Sequence, residues 1–413
     1  MVACGGSSVS VTERDASTDA GIPFVDAGEH DAGISATDAG VIDASIPDAG
    51  GTADSGCPRL PAPENATRFI VVSHPYNSMS AADNRYEVFS LSPDGGIAAT
   101  GNTFHMGRAF GVGIHFTPDG RLGFVAQDDG TVGVFSLDAQ GSPTVEHAAL
   151  SGAFNAADVV VGPSGNSAFV IDYGTEDNGG GLYPLSIACN GTVTAQPRLV
   201  NATSGSSLTF LSTGDGLVAS KTALGAPTSQ LQKINFAPAT PQVLGHSMVF
   251  ADTNVLVPML ATTRDEKYVL MPDNGLAHGS RLGIAKLTGN TVSAFTVFNV
   301  PNPGWVAMSP FDNAALVVSS DGADNFRRLR YDTANSTTPF MLDAPMTYTF
   351  GKPELPLGGA LVERGALKGR VIVAEIHALR QLQFTPQGSI TDVSRLSLGS
   401  GMETLIGAIG VTP

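Results

Sequence analysis

The chain has 413 residues, 42% of them apolar and 15% charged, a balance that supports a folded core and excludes wholesale disorder. A formal charge of −16 disfavours nucleic acid or an anionic membrane surface as the main partner. No apolar run approaches the ~18 residues of a membrane helix. Residues 1–65 hold eight Asp and three Glu against Arg14 and Arg59, a net −9, which leaves −7 for residues 66–413. This asymmetry predicts an acidic tail joined to a near-ordinary domain.

The chain opens Met1-Val2-Ala3-Cys4-Gly5-Gly6-Ser7. Small residues before a Cys, with Gly and Ser after it, resemble the lipobox of bacterial lipoproteins. The resemblance implies a lipid on Cys4, a membrane anchor and a place in the cell envelope, on the outer-membrane or periplasmic side. The apolar segment of a signal peptide is then expected upstream of Met1, and the alternative is an ordinary thiol. Residues 1–4 are thus a lipobox-like remnant and residues 5–65 a disordered spacer. Within the spacer, Asp-Ala-Gly or Asp-Ala-Ser recurs seven times, from Asp15 to Asp48. Small and like-charged residues bury too little to offset ordering entropy, and such a chain spans roughly 40 Å. Calcium binding by the Asp series would need regular ligand spacing, which the repeats lack. With Cys4 lipidated, Cys57 and Cys189 remain as a pair for an oxidising compartment, either bridged, stapling tail to domain, or free.

From residue 66 the sequence repeats with a period near fifty. Each unit has an apolar strand rich in small residues, a turn and a second apolar strand, as in Gly113-Ile114-His115-Phe116-Thr117-Pro118-Asp119-Gly120 followed by Phe124-Val125. Pro fixes φ at the second turn position, and Asp and Gly follow as a type I turn prefers. A third, alternating strand recurs seven times, beginning near Tyr86, Val132, Leu182, Leu231, Leu282, Phe326 and Leu379. A fourth, outermost strand completes each unit. The first unit lacks its opening strand, because Arg68-Phe69-Ile70-Val71-Val72 corresponds to a second strand. The last segment, Ile406 to Pro413, reads as an opening strand. The prediction is an all-β, seven-bladed propeller of four-stranded antiparallel blades over residues 66–413, closed by the C-terminal strand. The repeated turn and strand pattern resembles the seven-bladed lactonase-like family, which includes 6-phosphogluconolactonases, and the related YVTN-type repeats of bacterial surface proteins. That motif specifies blade geometry and carries no catalytic group.

Strand order places the loops between second and third strands around one mouth of the channel, the top face. Asp128, Asp172, Asp273, Asp321 and Glu375 stand near the starts of these loops, with Arg108 and Lys221 as the basic residues at the mouth. Grouped carboxylates favour a cation or a cationic ligand; otherwise Asp and Asn are ordinary turn residues. His74, His105, His278 and His377 fall in top-face segments. Of these, His74, His105 and His377 with Glu375 and Glu403 form a candidate site for a divalent metal, which would activate water for ester or lactone hydrolysis. Scarce cations disfavour a phosphorylated sugar lactone. Gly245-His246-Ser247-Met248-Val249 lacks the final Gly of a nucleophile elbow and is expected in an outer strand. Trp305 begins an innermost strand, where packing against Pro303 is expected. Among Arg327, Arg328 and Arg330, Arg328 is expected to face away from the other two. The sequence points to a monomeric, membrane-tethered module without a firmly implied cofactor. It would bind a protein, glycan or small molecule through its top face, the alternative being a metal-assisted lactone or ester hydrolase.

Overall fold

Alternating apolar residues, cut into short runs by Gly, Pro and Asp turns, form strands that must bury both faces, and stacking blades around an axis achieves this. A computed structural model describes Cys57 and residues 59–75, 84–111, 113–146, 149–150, 153, 156–172, 180–199, 205–220, 230–237, 241–251, 255–274, 280–320 and 325–413. Cys4, Lys221, His278 and Asp321 lie outside the described residues.

In chain order the strands are β1 (Arg68–His74), β2 (Asn84–Leu91), β3 (Ile97–Met106), β4 (His115–Phe116), β5 (Leu122–Ala126), β6 (Val132–Leu137) and β7 (Pro143–Val145). There follow β8 (Ala156–Val161), β9 (Ser167–Asp172), β10 (Gly181–Ile187), β11 (Val193–Ala195), β12 (Gly205–Phe210), β13 (Gly216–Ser220), β14 (Leu231–Asn235) and β15 (Gln242–Ser247). Next come β16 (Ala261–Thr262), β17 (Tyr268–Asp273), β18 (Arg281–Thr288), β19 (Thr291–Asn299), β20 (Pro303–Met308), β21 (Ala314–Ser319), β22 (Phe326–Tyr331) and β23 (Phe340–Pro345). The last are β24 (Gly358–Leu361), β25 (Arg370–Glu375), β26 (Ala378–Phe384), β27 (Ile390–Ser397) and β28 (Ile409–Val411). Among the described residues they make seven four-stranded antiparallel sheets, the first ordered β28-β1-β2-β3. The predicted propeller is therefore the fold.

Closure occurs where the sequence placed it. Val71 pairs with Gly410 and Val72 with Ile409, and the pairing extends at both ends: Thr412 N donates to Phe69 O at 2.9 Å and Ser73 N to Ala408 O at 2.9 Å. Phe69 N also donates to Thr412 Oγ1 at 2.9 Å. The joined blade then meets the second through Ile114 N, which donates to Ile409 O at 3.0 Å.

The core lies between blades. Along β1, Phe69 and Val71 pack towards the second blade with Phe116 and Phe135, while Ile70 and Val72 pack towards the seventh with Ile372 and Leu379. The period of two thus sends successive side chains to different blade interfaces. Gly123 serves this packing, since a Cβ there would stand 2.2 Å from the Phe135 ring. At the bottom-face turns, Gly120 N closes on Thr117 O at 2.8 Å, and Thr117 Oγ1 donates to Asp119 Oδ1 at 2.6 Å. Gly120 sits at φ +70°, whereas Glu266 and Asp312 hold comparable left-handed positions at φ 54° in the fifth and sixth blades.

Packed structure starts upstream of residue 66, as a strap under the bottom face. Cys57 and Cys189 form a disulfide with Cα atoms 5.4 Å apart. Arg59 donates to Ala188 O at 2.8 Å and pairs with Asp119 at 3.2 Å. Further along, the strap backbone at Glu64 passes so close to Gly365 that a Cβ there would lie 2.2 Å from the Glu64 carbonyl oxygen. Arg68 ties the joint at the strap's end, donating to Thr412 O and Arg364 O at 3.1 Å each.

Candidate functional site

The second strands end at the top face, where in five blades a polar side chain at or just past the strand end meets the connection arriving from the previous blade. Asp273 closes β17: its Oδ2 accepts from Arg281 Nε at 2.9 Å, and its Oδ1 accepts from Leu256 N at 3.0 Å. Glu375 closes β25: Oε1 accepts from Arg380 Nε at 2.5 Å, and Oε2 accepts from Arg395 Nε at 2.7 Å and Glu354 N at 3.3 Å. Ser320, just past β21, accepts from Asn302 Nδ2 at 2.8 Å. Gln127 donates to Gly107 O at 3.4 Å, and His74 Nδ1 lies 3.0 Å from Leu405 O. A polar residue at this height therefore fastens an inter-blade loop in five blades. Backbone amides just past these positions do the same: Asp128 N donates to Arg108 O and Ile376 N to Glu354 O, each at 3.0 Å.

The described carboxylates at the mouth thus have partners in hand. Asp128 is paired with Arg108. Asp172 is fully buried and is not free. The Glu375 group extends inwards as a network, since Arg380 also reaches Asp392 at 2.7 Å and Gly351 O at 2.8 Å. Asp392 in turn accepts from Thr349 N and Phe350 N, holding the connection into β24.

The histidine and carboxylate candidates are not gathered into one centre. His74 is buried, with Nε2 3.2 Å from Glu87 Oε2; that hydrogen bond is the main reason the Glu87 carboxyl is held below its usual range. His105 is exposed on the outermost strand β3, opposite Arg85. The Nδ1 of His377 lies 3.0 Å from Thr404 Oγ1, and Glu403 is exposed. Among the described residues no group of three or more His, Cys, Asp and Glu side chains is arranged to hold a metal ion. Ser247 ends the outer strand β15, as expected for the elbow-like pentapeptide. The arginine cluster needs a correction. Arg328 and Arg330 both reach Asp343, at 2.5 and 2.9 Å, because residues two apart on β22 share a face, and Arg327 is the one turned away.

The channel holds a cavity of about 440 Å³; of its walls the sequence singled out Trp305, but not His115 or Asp158 as site residues. His115 of β4 and Asp158 of β8 meet there across neighbouring blades, with Nε2 2.9 Å from Oδ1. Burial alone would lower the imidazole pKa, but the Asp158 charge and hydrogen bond outweigh it and raise it above the ordinary value of 6.5. Asp158 is itself oriented by Val159 N, which donates to the same oxygen at 2.8 Å. Trp305 and Met259 stand on the wall beside Asn274 and Ser320. Trp305 is 7% exposed, and the edge of its indole rests on Gly359, where a Cβ would stand 3.2 Å from Cη2. Gly113 makes the matching room for His115, whose Nε2 would be 2.6 Å from a Cβ there. His115 stood in the quoted repeat motif, and its signal was a polar ring on an innermost strand. Asp158 was hidden because the bulge between Ala156 and Asp158 breaks the alternation.

No protein-family model matches the chain, and no curated protein sequence matches it significantly. Solved structures share its fold. A provisional 6-phosphogluconolactonase of Bacteroides fragilis is 12% identical with a TM-score of 0.62, over 86% of this chain and 100% of that one. A periplasmic gluconolactonase of Pseudomonas aeruginosa is 14% identical with a TM-score of 0.61, over 84% and 99%. A Lactobacillus plantarum protein gives 11% and 0.61 over the same shares. The class of the chain is therefore that of a seven-bladed propeller with the lactonase-like fold, a fold that hosts more than one function.

Proposed function

We propose that the chain is a lipid-tethered, extracytoplasmic propeller that binds a ligand at the top mouth of its channel and does not turn it over. The observation that carries this reading is the engagement of the mouth: Asp128, Asp273 and Glu375 are each neutralised by arginine, and the last two also hold loop backbone. Groups so committed brace a binding rim and are poorly placed to shuttle protons. The Cys57–Cys189 bridge supports an oxidising compartment, and the small residues flanking Cys4 with the Asp-rich spacer support the tether. Labelled palmitate should enter the chain when a complete signal peptide precedes it and should fail to enter Cys4→Ala. Incorporation that ignores Cys4 would remove the tether.

A second reading, a lactonase-like hydrolase, draws on the His115–Asp158 pair and on the two lactonases named among the fold's neighbours. Gluconolactone and simple aryl esters separate the two readings. Binding alone predicts no hydrolysis above buffer. A rate that falls at least about tenfold in His115→Ala would install the hydrolase instead.

A further inference from the structure

We propose that the cavity inside the channel takes a small, largely apolar alcohol or phenol, whose hydroxyl meets the His115–Asp158 pair while its ring lies against Trp305 and Met259. This rests on the reading of the chain as a binding propeller and specifies the ligand's chemistry. The volume of about 440 Å³ falls within the range of small-molecule sites. Of the described residues lining it, His115, Asp158, Asn274 and Ser320 are polar, and none is Lys or Arg. With no described Lys or Arg beside them, and with His115 already engaged by Asp158, phosphate or sulfate esters would pay for desolvation with little return. The remaining described wall is Ile, Val, Phe, Leu, Met, Trp, Pro, Ala and Gly, which favours an apolar body.

The pair sets the polar requirement. Nε2 of His115 is bonded to Asp158 Oδ1, and among the described residues Nδ1 makes no hydrogen bond. The ring belongs to an innermost strand, and its side chain is 34% exposed, so its free edge is open to solvent in the channel. A hydroxyl both donates and accepts, so it satisfies Nδ1 whether that nitrogen carries a proton or a lone pair. A hydrocarbon of equal size leaves the nitrogen unpaired, which costs affinity.

The chain has one tryptophan, and it borders this cavity, so its emission reports occupancy directly. The full chain is titrated with p-cresol, toluene and p-tolyl phosphate, following Trp305 emission and heat. Saturable binding of p-cresol about tenfold tighter than toluene, with p-tolyl phosphate weakest, is the expected result. In His115→Leu, which keeps an apolar wall, p-cresol and toluene should bind within about twofold of each other. Equal binding of p-cresol and toluene to the unaltered chain, tighter binding of the phosphate, or no saturable binding of p-cresol would overturn the proposal. Hydrolysis of p-tolyl acetate that depends on His115, with p-cresol still bound as product, would keep the site and sink only the binding-without-turnover reading.

Discussion

Arg380 is fully buried between Glu375 and Asp392, a guanidinium flanked by two carboxylates. Removing it in Arg380→Met leaves buried Asp392 without its cation and Glu375 with Arg395 alone, so urea denaturation should show a loss of about 3–5 kcal/mol. The solvent-facing Arg264–Glu363 pair is a contrast, since Arg264→Met should cost at most about 1 kcal/mol there. The His115–Asp158 pair has a pH signature. The imidazole pKa is raised in the folded chain, so its stabilisation is complete below the unfolded value near 6.5 and fades as pH climbs through the higher folded value. The gap in melting temperature between the unaltered chain and Asp158→Asn should therefore be wider at mildly acidic pH and narrow towards alkaline pH. The reverse trend would show that the pair does not act this way. At this scale the sequence revealed a series of polar residues at one height but not their partners. Asp273 faces Arg281 directly across the β17–β18 hairpin, a pairing that register could have disclosed, whereas Arg395 lies two strands from Glu375 and needed the fold.

Strands and their joints set the next level. β28 supplies the innermost strand of the first blade, so losing residues 409–413 exposes the edge of β1 and breaks its pairing from Phe69 to Val72. That truncation should give aggregation or a molten ring, seen as lost cooperativity on heating. The disulfide encloses a separation of 132 residues, for which loop-closure reasoning gives a contribution of roughly 2–5 kcal/mol. Cys57→Ser, or mild reductant, should lower the urea midpoint accordingly, and an unchanged midpoint would show that the strap's polar contacts suffice alone. Strand number and closure were legible because turn chemistry repeats and the first unit lacks a strand. The strap was not, because Arg59-Leu60-Pro61-Ala62-Pro63 has no period. It is held by partners in the second, third and seventh blades that only the closed ring brings within reach.

The whole ring is seven similar units, each adequate to pack against two neighbours, and its core is accordingly a set of interfaces between blades. This is why the architecture could be read from a motif without chemistry in it, while the cavity could not: its walls are assembled from short stretches of most of the blades. It also places the start of β1 beside the end of β28, with Arg68 bound to Thr412. Chain order is therefore separable from architecture here. A gene recut between Leu398 and Ile406, with Pro413 joined by a short linker to the strap, would make each blade one uninterrupted stretch and turn the present seam into an ordinary turn. Such a rearranged protein should melt as one unit and keep the emission maximum of Trp305, which makes the seam an engineering handle for displaying cargo away from the channel mouth.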